Sequence, residues 1–393
     1  MNQAGRLHAL DNLRAIMMWL GIVLHVAVNH VALSPLPWRD ADSSPVASLL
    51  MITIHAFRMP VFFILAAYFV ALLVNGRGVG GMLKNRVRRI ALPFMVFWPL
   101  LLVLMGVLVV IFNHLMVHGT FGFDPSLLPK SRPAGGAPHT MHLWFLYYLF
   151  MFCLLSALVC RLAHRVPGWF KRAFDAVMHA SARSWWGAIV LTVPLAIIGS
   201  AYPAGMLALD GSFVPNLPEL VHNGMFFVFG WTLYRHQATL LPHYSARCWW
   251  YLGAGGLVFL FALNLFKIFA LDPLRIPYMN ALMAFIYNLA GWLLSMGMIG
   301  LFLRYLPRQN RVLLYLSESS YWVFMVHMVG TIGFGVLLYN APLGALAKMG
   351  INIVLTTLAC LGSYHFFVRN TFIGVLLNGQ RGSPKVVPAA VPA

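Results

Sequence analysis

The stretch LDNLRAIMMWLGIVLHVAVNH, residues 10–30, has the apolar length of a membrane-crossing helix, yet it contains ionisable side chains. About 20 apolar residues span a hydrocarbon core of ~30 Å. Arg14 and His25 are eleven residues apart, about three helical turns, so they share one face at depths ~16 Å apart. An ionisable group inside a span costs ~2.5–3.5 kcal/mol on insertion scales and usually faces the interior of a helix bundle. The first helix therefore predicts a polar groove inside a membrane protein.

The whole chain has the composition of such a protein. Of its 393 residues, 61% are hydrophobic and 9% are charged, whereas soluble proteins carry about 25% charged residues. We predict an all-α polytopic membrane bundle of about ten transmembrane helices. Their expected positions are 13–33, 46–74, 90–113, 141–160, 185–202, 219–234, 248–270, 277–303, 315–340 and 344–367. The second is interrupted by Pro60, where we expect the helix to break.

The basic residues predict the orientation of the bundle. The net charge is +18, but the Lys and Arg side chains lie in short clusters between spans, which argues against nucleic-acid binding. With the N-terminus inside, 19 of them fall in inner segments and five in outer ones, which is the bias expected of a cytoplasmic side. Both termini are therefore expected inside. One transmembrane domain is expected over residues 1–370, followed by a cytoplasmic tail, 371–393, whose end is disordered.

One inner loop has an amphipathic pattern. In residues 167–180 the apolar side chains Trp169, Phe170, Phe174, Val177 and Met178 share a helical face, and Lys171, Arg172 and Asp175 lie opposite. This pattern predicts a helix lying in the membrane interface.

Few other polar side chains lie where lipid is expected, and each has two interpretations. Arg58, three residues after His55, is too far from the ends of its span to reach water and needs an anionic partner or a wet cavity. The other residues of this kind are His142 and Trp144 at the outer end of the fourth span, and Glu318 and His327 in the ninth. Arg14 is equally consistent with a topology anchor paired with Asp11. His25 and His327 are equally consistent with hydrogen-bonded core residues, and Trp144 with an interfacial aromatic.

Six segments, in this order, resemble the acyltransferase-3 family of bacterial membrane enzymes. They are LRAIMMWLGIVLH (13–25), HAFRMPVFF (55–63), RVRRIALP (86–93), HLWFLYYL (142–149), FFVFGWTLY (226–234) and SYWVFMVH (320–327). Within the family the chain is most similar to the glucan biosynthesis protein C branch. No metal-binding or nucleotide-binding motif accompanies these segments, so neither a metal nor a bound cofactor is expected.

The resemblance implies an O-acyltransferase of the bacterial inner membrane. Such an enzyme moves an acyl group, with succinyl favoured over acetyl, from cytoplasmic acyl-CoA to a periplasmic glucan or other polysaccharide. Its partners would be acyl-CoA, the carbohydrate, the lipid bilayer and other proteins of glucan synthesis. The alternative class is a transporter or flippase for a glycan or lipid-linked sugar, which would also need buried Arg and His side chains.

The resemblance also assigns roles to residues. Arg14 and His25 match the essential pair of the family, and Arg58 and His327 match two further catalytic positions. We expect the phosphates of acyl-CoA to bind Arg86 and Arg89. His25 would act as general base, although an acyl-histidine intermediate is equally compatible with the sequence. The remaining predicted substrate-binding residues are Asp11, His55, His142, Trp144 and Glu318, the last because His365 stands where relatives often have Glu.

Overall fold

The structure, a computed structural model, describes residues 3–32, 36–127, 139–207, 211–273 and 276–378. All regular secondary structure in these ranges is helical. The helices are α1 (Gln3–Val28), α2 (Pro45–Arg86), α3 (Leu92–His118), α4 (Trp144–Leu162), α5 (Gly168–Arg183), α6 (Gly187–Gly199), α7 (Leu217–Arg235), α8 (Gln237–Leu271), α9 (Met279–Tyr305), α10 (Arg311–Leu338), α11 (Ala345–Ser363) and α12 (Phe372–Asn378). Short π-helical turns, Val87–Ala91 and Tyr364–Val368, follow α2 and α11.

Local sequence signals set several helix ends. Ser44 caps α2 by accepting a hydrogen bond from the backbone N–H of Val46, and Asn310 caps α10 by accepting one from Leu313 at 2.8 Å. Each cap satisfies a backbone donor that has no partner within the helix. Helix α3 ends at Gly119, whose φ of 71° is readily adopted by glycine.

The centre of the bundle is formed by α1, α2, α9 and α10. Helix α1 packs on α2 and α10, and α2 packs on α7 and α9. The main core contains large, fully buried side chains from these and neighbouring helices: Leu13, Phe63, Tyr148, Phe229 and Trp292. Where α7 crosses α2, a Cβ on Gly230 would overlap the carbonyl oxygen of Ile64. A glycine is therefore required in the FFVFGWTLY segment for these two backbones to approach so closely.

The all-α membrane bundle is confirmed. The described residues contain seven segments that are long and apolar enough to cross a membrane, or eight if α5 and α6, bent by 109°, form one broken span. One of the seven, Pro45–His118, has 74 residues and includes both the second and the third predicted span. The number of ten crossings, the orientation and the domain boundary at residue 370 stay predictions.

The expected break at Pro60 is wrong. Pro60 lies inside α2, and the residue with non-helical backbone geometry is Gly78, with φ 68° and ψ 173°. Transmembrane helices tolerate proline because neighbouring groups can satisfy the carbonyl that it leaves free. A positive φ combined with extended ψ is accessible mainly to glycine, so Gly78 determines where the helix direction changes.

The helix predicted at residues 167–180 is present as α5, and its location in the membrane interface stays a prediction. Trp169, Phe170 and Val177 are exposed on its surface, as expected of a face that contacts lipid. Met178 instead packs in the core. Part of the expected tail is α12, whose Leu377 packs against Tyr364 and Val368. The end of the tail that we expected to be disordered lies outside the described residues.

Candidate functional site

His327 lies at the middle of α10 and is 0% exposed. Its Nδ1 is 3.0 Å from the carbonyl oxygen of Val323 and 2.9 Å from that of Phe324. Carbonyl oxygens only accept hydrogen bonds, so Nδ1 carries the proton and Nε2 of the neutral ring has the lone pair. Nε2 is buried and has no hydrogen-bond partner among the described residues. The helix backbone therefore fixes one tautomer of this imidazole and leaves a basic nitrogen free.

His142 presents a second imidazole of the same kind. It lies on the short 3₁₀ turn Met141–Leu143 that precedes α4. Its Nε2 donates to the carbonyl oxygen of Met325, at 3.0 Å, and its buried Nδ1 is without a partner in the described part of the chain. The rings of His142 and His327 have their centroids 5.4 Å apart. The turn before α4 thus places the side chain of His142 against His327 of α10.

His25 completes the group of imidazoles. Its ring centroid is 5.2 Å from that of His327, and the ring planes are inclined by 46°. Unlike His142 and His327, His25 is partly exposed. It is therefore the imidazole of the three that a ligand can reach most easily.

Arg58 brings a positive charge to the same place. It is 5% exposed, its Nε donates to the carbonyl oxygen of Met17 at 3.0 Å, and its guanidinium lies over the ring of Phe62. A Cβ added to Gly21 would stand 2.8 Å from Nη2 of Arg58 and 3.5 Å from Nε2 of His327. The guanidinium and the free nitrogen of His327 therefore meet beside Gly21, one helical turn before His25. No salt bridge joins Arg58 to a carboxylate among the described residues.

Arg14 is not part of this cluster. It forms a salt bridge with Asp11 at 3.2 Å, its side chain is 39% exposed, and its guanidinium lies over the ring of Phe69. The pairing with Asp11 that the sequence left open is present. Arg14 and His25 therefore lie in separate surroundings at two positions along α1, as their spacing predicted.

Arg86 lies near two other guanidinium groups. The charge of Arg86 interacts with those of Arg14 and Arg89, and its Nε is buried with no partner among the described residues. Arg89 donates from Nη1 to the carbonyl oxygen of Leu377 in α12, at 2.9 Å. The guanidinium groups of Arg14 and Arg89 therefore both lie within electrostatic range of Arg86.

Glu318 lies near α12 rather than beside His327. Its backbone carbonyl accepts a hydrogen bond of 3.0 Å from Asn378 of α12. Nine residues of helix separate Glu318 from His327, which is about 13 Å along α10. This distance prevents a direct contact between Glu318 and His327, and the predicted substrate-binding role of Glu318 stays a prediction.

A further group of polar side chains lies between α2, α7 and α9. His55 is 3.3 Å from the hydroxyl of Tyr287, and His222 bonds Asn288 at 2.9 Å. Of these four residues only His55 was expected from the sequence; Tyr287, His222 and Asn288 were not. His222 could have been found, since it is a histidine inside the predicted span 219–234.

Trp144 contacts the core rather than lipid alone. Its ring lies 6.4 Å from Phe63 and 6.0 Å from Tyr148. Within the described residues no three His, Cys, Asp or Glu side chains are placed to hold a metal ion. The absence of a metal from the reaction stays a prediction.

The arrangement suits proton transfer beside a developing negative charge. Two imidazoles have tautomers fixed by backbone carbonyls, and a third is accessible. Next to them lies a guanidinium that has no acidic partner among the described residues. A buried cation of this kind stabilises an oxyanion more strongly than it would in water.

Comparison with known proteins identifies a family that matches most of the chain. A profile of the acyltransferase domain of the acyltransferase-3 family matches residues 7–365. Over 100 residues the chain is 36% identical to the glucans biosynthesis protein C of Escherichia coli K12 and 35% identical to proteins of that name from Salmonella paratyphi B and Salmonella heidelberg. Each match covers 25% of this chain and 25% of the relative, so the chain spans about a quarter of the length of these relatives. No solved structure matches the chain.

Proposed function

Since the chain belongs to the acyltransferase-3 family, we propose that it is a multi-pass O-acyltransferase of the bacterial inner membrane. Its donor would be cytoplasmic acyl-CoA and its acceptor a periplasmic glucan. The observation that carries this proposal is the meeting of His25, His142 and His327 with Arg58 inside the bundle. The glucan is inferred from the name of the relatives, glucans biosynthesis protein C, which match this chain over a quarter of its length.

The donor would bind beside Arg14, Arg86 and Arg89. The phosphates of acyl-CoA are anionic, and charge-assisted hydrogen bonds from guanidinium groups are the strong contacts for them. From there the pantetheine arm would extend along α1 towards His25, ~16 Å away by the rise of the helix. A coenzyme bound on one side of the membrane would thus present its thioester in the interior.

At the thioester, His25 would take the proton from an acceptor hydroxyl. The oxygen attacks the carbonyl carbon, the C–S bond breaks, and the imidazolium of His25 returns the proton to the departing thiolate. Arg58 would stabilise the negative charge that develops on the carbonyl oxygen. Nε2 of His327 can accept the other N–H of His25 and so hold its ring in the required tautomer, which makes His327 a positioning residue.

Succinyl is the favoured acyl group on electrostatic grounds. A buried guanidinium is costly unless an anion neutralises it, and Arg58 has no carboxylate partner among the described residues. The free carboxylate of a succinyl group would supply that anion, whereas an acetyl group would not.

Mass spectrometry of periplasmic glycans tests the proposal. Cells producing the protein should carry glucans with the added mass of a succinyl or acetyl group, and cells without it should not. The added mass also identifies the acyl group. Identical glycan profiles, together with no cleavage of acyl-CoA by the purified protein, would favour the transporter or flippase instead.

Substitution of Gly21 tests the placement of Arg58. Gly21→Ala puts a methyl group 2.8 Å from Nη2 of Arg58, so the guanidinium must move away from the thioester. We expect a loss in the rate of acyl transfer of about tenfold, or ~1.4 kcal/mol in the activation free energy, measured with acyl-CoA in detergent. Gly106→Ala is the matched control, because a Cβ there meets no atom within 4 Å. Equal rates for both variants would contradict the assigned role of Arg58.

A further inference from the structure

A cavity lies away from the histidine cluster. It has a volume of about 600 Å³ and is formed where the turn between α5 and α6 meets the N-terminal part of α8. Its lining includes Arg183, Trp185, Trp186, His243, Arg247 and Trp250. No carboxylate is among the residues that line it, so its polar groups are basic or neutral.

Two arginines give this cavity its charge. Arg183 and Arg247 both interact electrostatically with His243, which places their charges near one ring. The salt bridges of the described residues involve neither of them. Two neighbouring guanidinium groups without an acid repel each other, and an anion between them would remove that repulsion.

A chain of hydrogen bonds holds one side of the cavity in place. Arg247 donates to Nδ1 of His243 at 2.8 Å, so Nε2 of that ring carries the proton. Nε2 in turn donates to the hydroxyl oxygen of Tyr251 at 3.1 Å. The hydroxyl proton of Tyr251 therefore remains available to a ligand, beside two cationic side chains.

The surroundings of the cavity place it at the surface of the bilayer. Trp185 is 71% exposed, and Trp186 and Trp250 are also exposed; tryptophans are enriched at the level of lipid headgroups. The amphipathic helix α5, with Trp169 exposed on its apolar face, leads directly into the cavity. An interfacial helix of this type lies at the boundary of headgroups and acyl chains.

We propose that this cavity binds the phosphate of an anionic phospholipid headgroup. The two arginines would contact the phosphate oxygens, Tyr251 would donate to one of them, and the tryptophans would pack against the upper part of the acyl chains. The cavity lies on the side that the basic residues predict to be cytoplasmic. The inference does not depend on the acyl-transfer reaction.

The test uses the full chain in detergent and native mass spectrometry. Phosphatidylglycerol should remain bound to the wild type, whereas phosphatidylcholine should be lost. The double variant Arg183→Gln/Arg247→Gln should weaken phosphatidylglycerol binding at least tenfold. The control is Arg161→Gln/Arg172→Gln, which removes two other exposed arginines of the same inner segment and should leave binding unchanged. Equal weakening in both pairs would show general attraction to charge and overturn the proposal.

Competition distinguishes a lipid from a soluble phosphate, and it needs only the wild type. Inorganic phosphate and pyrophosphate, in large excess over the lipid, should not displace phosphatidylglycerol. Displacement by either anion at a similar concentration to the lipid would mean that the cavity takes a soluble phosphate group, and the lipid proposal would fail. Equal retention of phosphatidylglycerol and phosphatidylcholine would overturn it as well.

Discussion

Alanine at position 25 is expected to lower the rate of acyl transfer by roughly 10²- to 10⁴-fold, the usual contribution of a positioned general base. His25 is the accessible member of the three imidazoles, so it is the one that can reach a substrate hydroxyl. The measurement is release of free CoA from acyl-CoA by the purified variant in the presence of acceptor, with glycan mass spectrometry in cells as a second readout. Membrane levels and thermal stability should match the wild type.

His8→Ala is the control on the same helix. His8 lies on α1 near the end that holds Asp11 and Arg14, about 25 Å from His25 by the rise of the helix. It should retain full activity. A His25→Ala variant as active as this control would refute the proposed mechanism, and loss of activity only in His327→Ala would transfer the role of base to His327.

The contents of the site were only partly predictable from sequence. Helical periodicity places Arg14 and His25 on one face of α1, because that relation depends only on 3.6 residues per turn. Sequence alone does not specify which other helices meet this face. The contact between His142 and His327 joins residues 185 positions apart. Without the family resemblance, nothing in the sequence would indicate that these two histidines are neighbours.

The wrong prediction for α2 concerns the position of its bend. Proline was taken as the break in α2 because it removes a hydrogen bond, yet the bend is at Gly78, where the backbone adopts a conformation that few residues other than glycine reach. Burial of a charged side chain likewise depends on distant residues. Lys348 is 2% exposed, and its ammonium group pairs with Asp40 and Asp42, more than 300 positions away in the sequence.

Loss of that ammonium group is expected to destabilise the protein by ~3–5 kcal/mol, the cost of leaving a buried charge without its partner. Nζ of Lys348 is 3.1 Å from both Oδ1 of Asp40 and Oδ2 of Asp42 and donates to the carbonyl oxygen of Tyr339 at 2.8 Å. Asp40 is 6% exposed, so in Lys348→Met its carboxylate has little access to water. Denaturant unfolding in detergent, followed by tryptophan fluorescence, measures the change in the free energy of unfolding.

The double variant Asp40→Asn/Lys348→Met separates the loss of charge pairing from the loss of packing. It removes both buried charges, so it should recover part of the stability lost in Lys348→Met, since the penalty comes mainly from the unpaired carboxylate. Lys84→Met, at an exposed lysine on α2, should change the free energy of unfolding by no more than ~0.5 kcal/mol. If Lys348→Met were as mild as Lys84→Met, the ion pair would contribute nothing to stability. The connection between α1 and α2 would then be held by its other contacts, such as the hydrogen bond from Trp38 to Asn29.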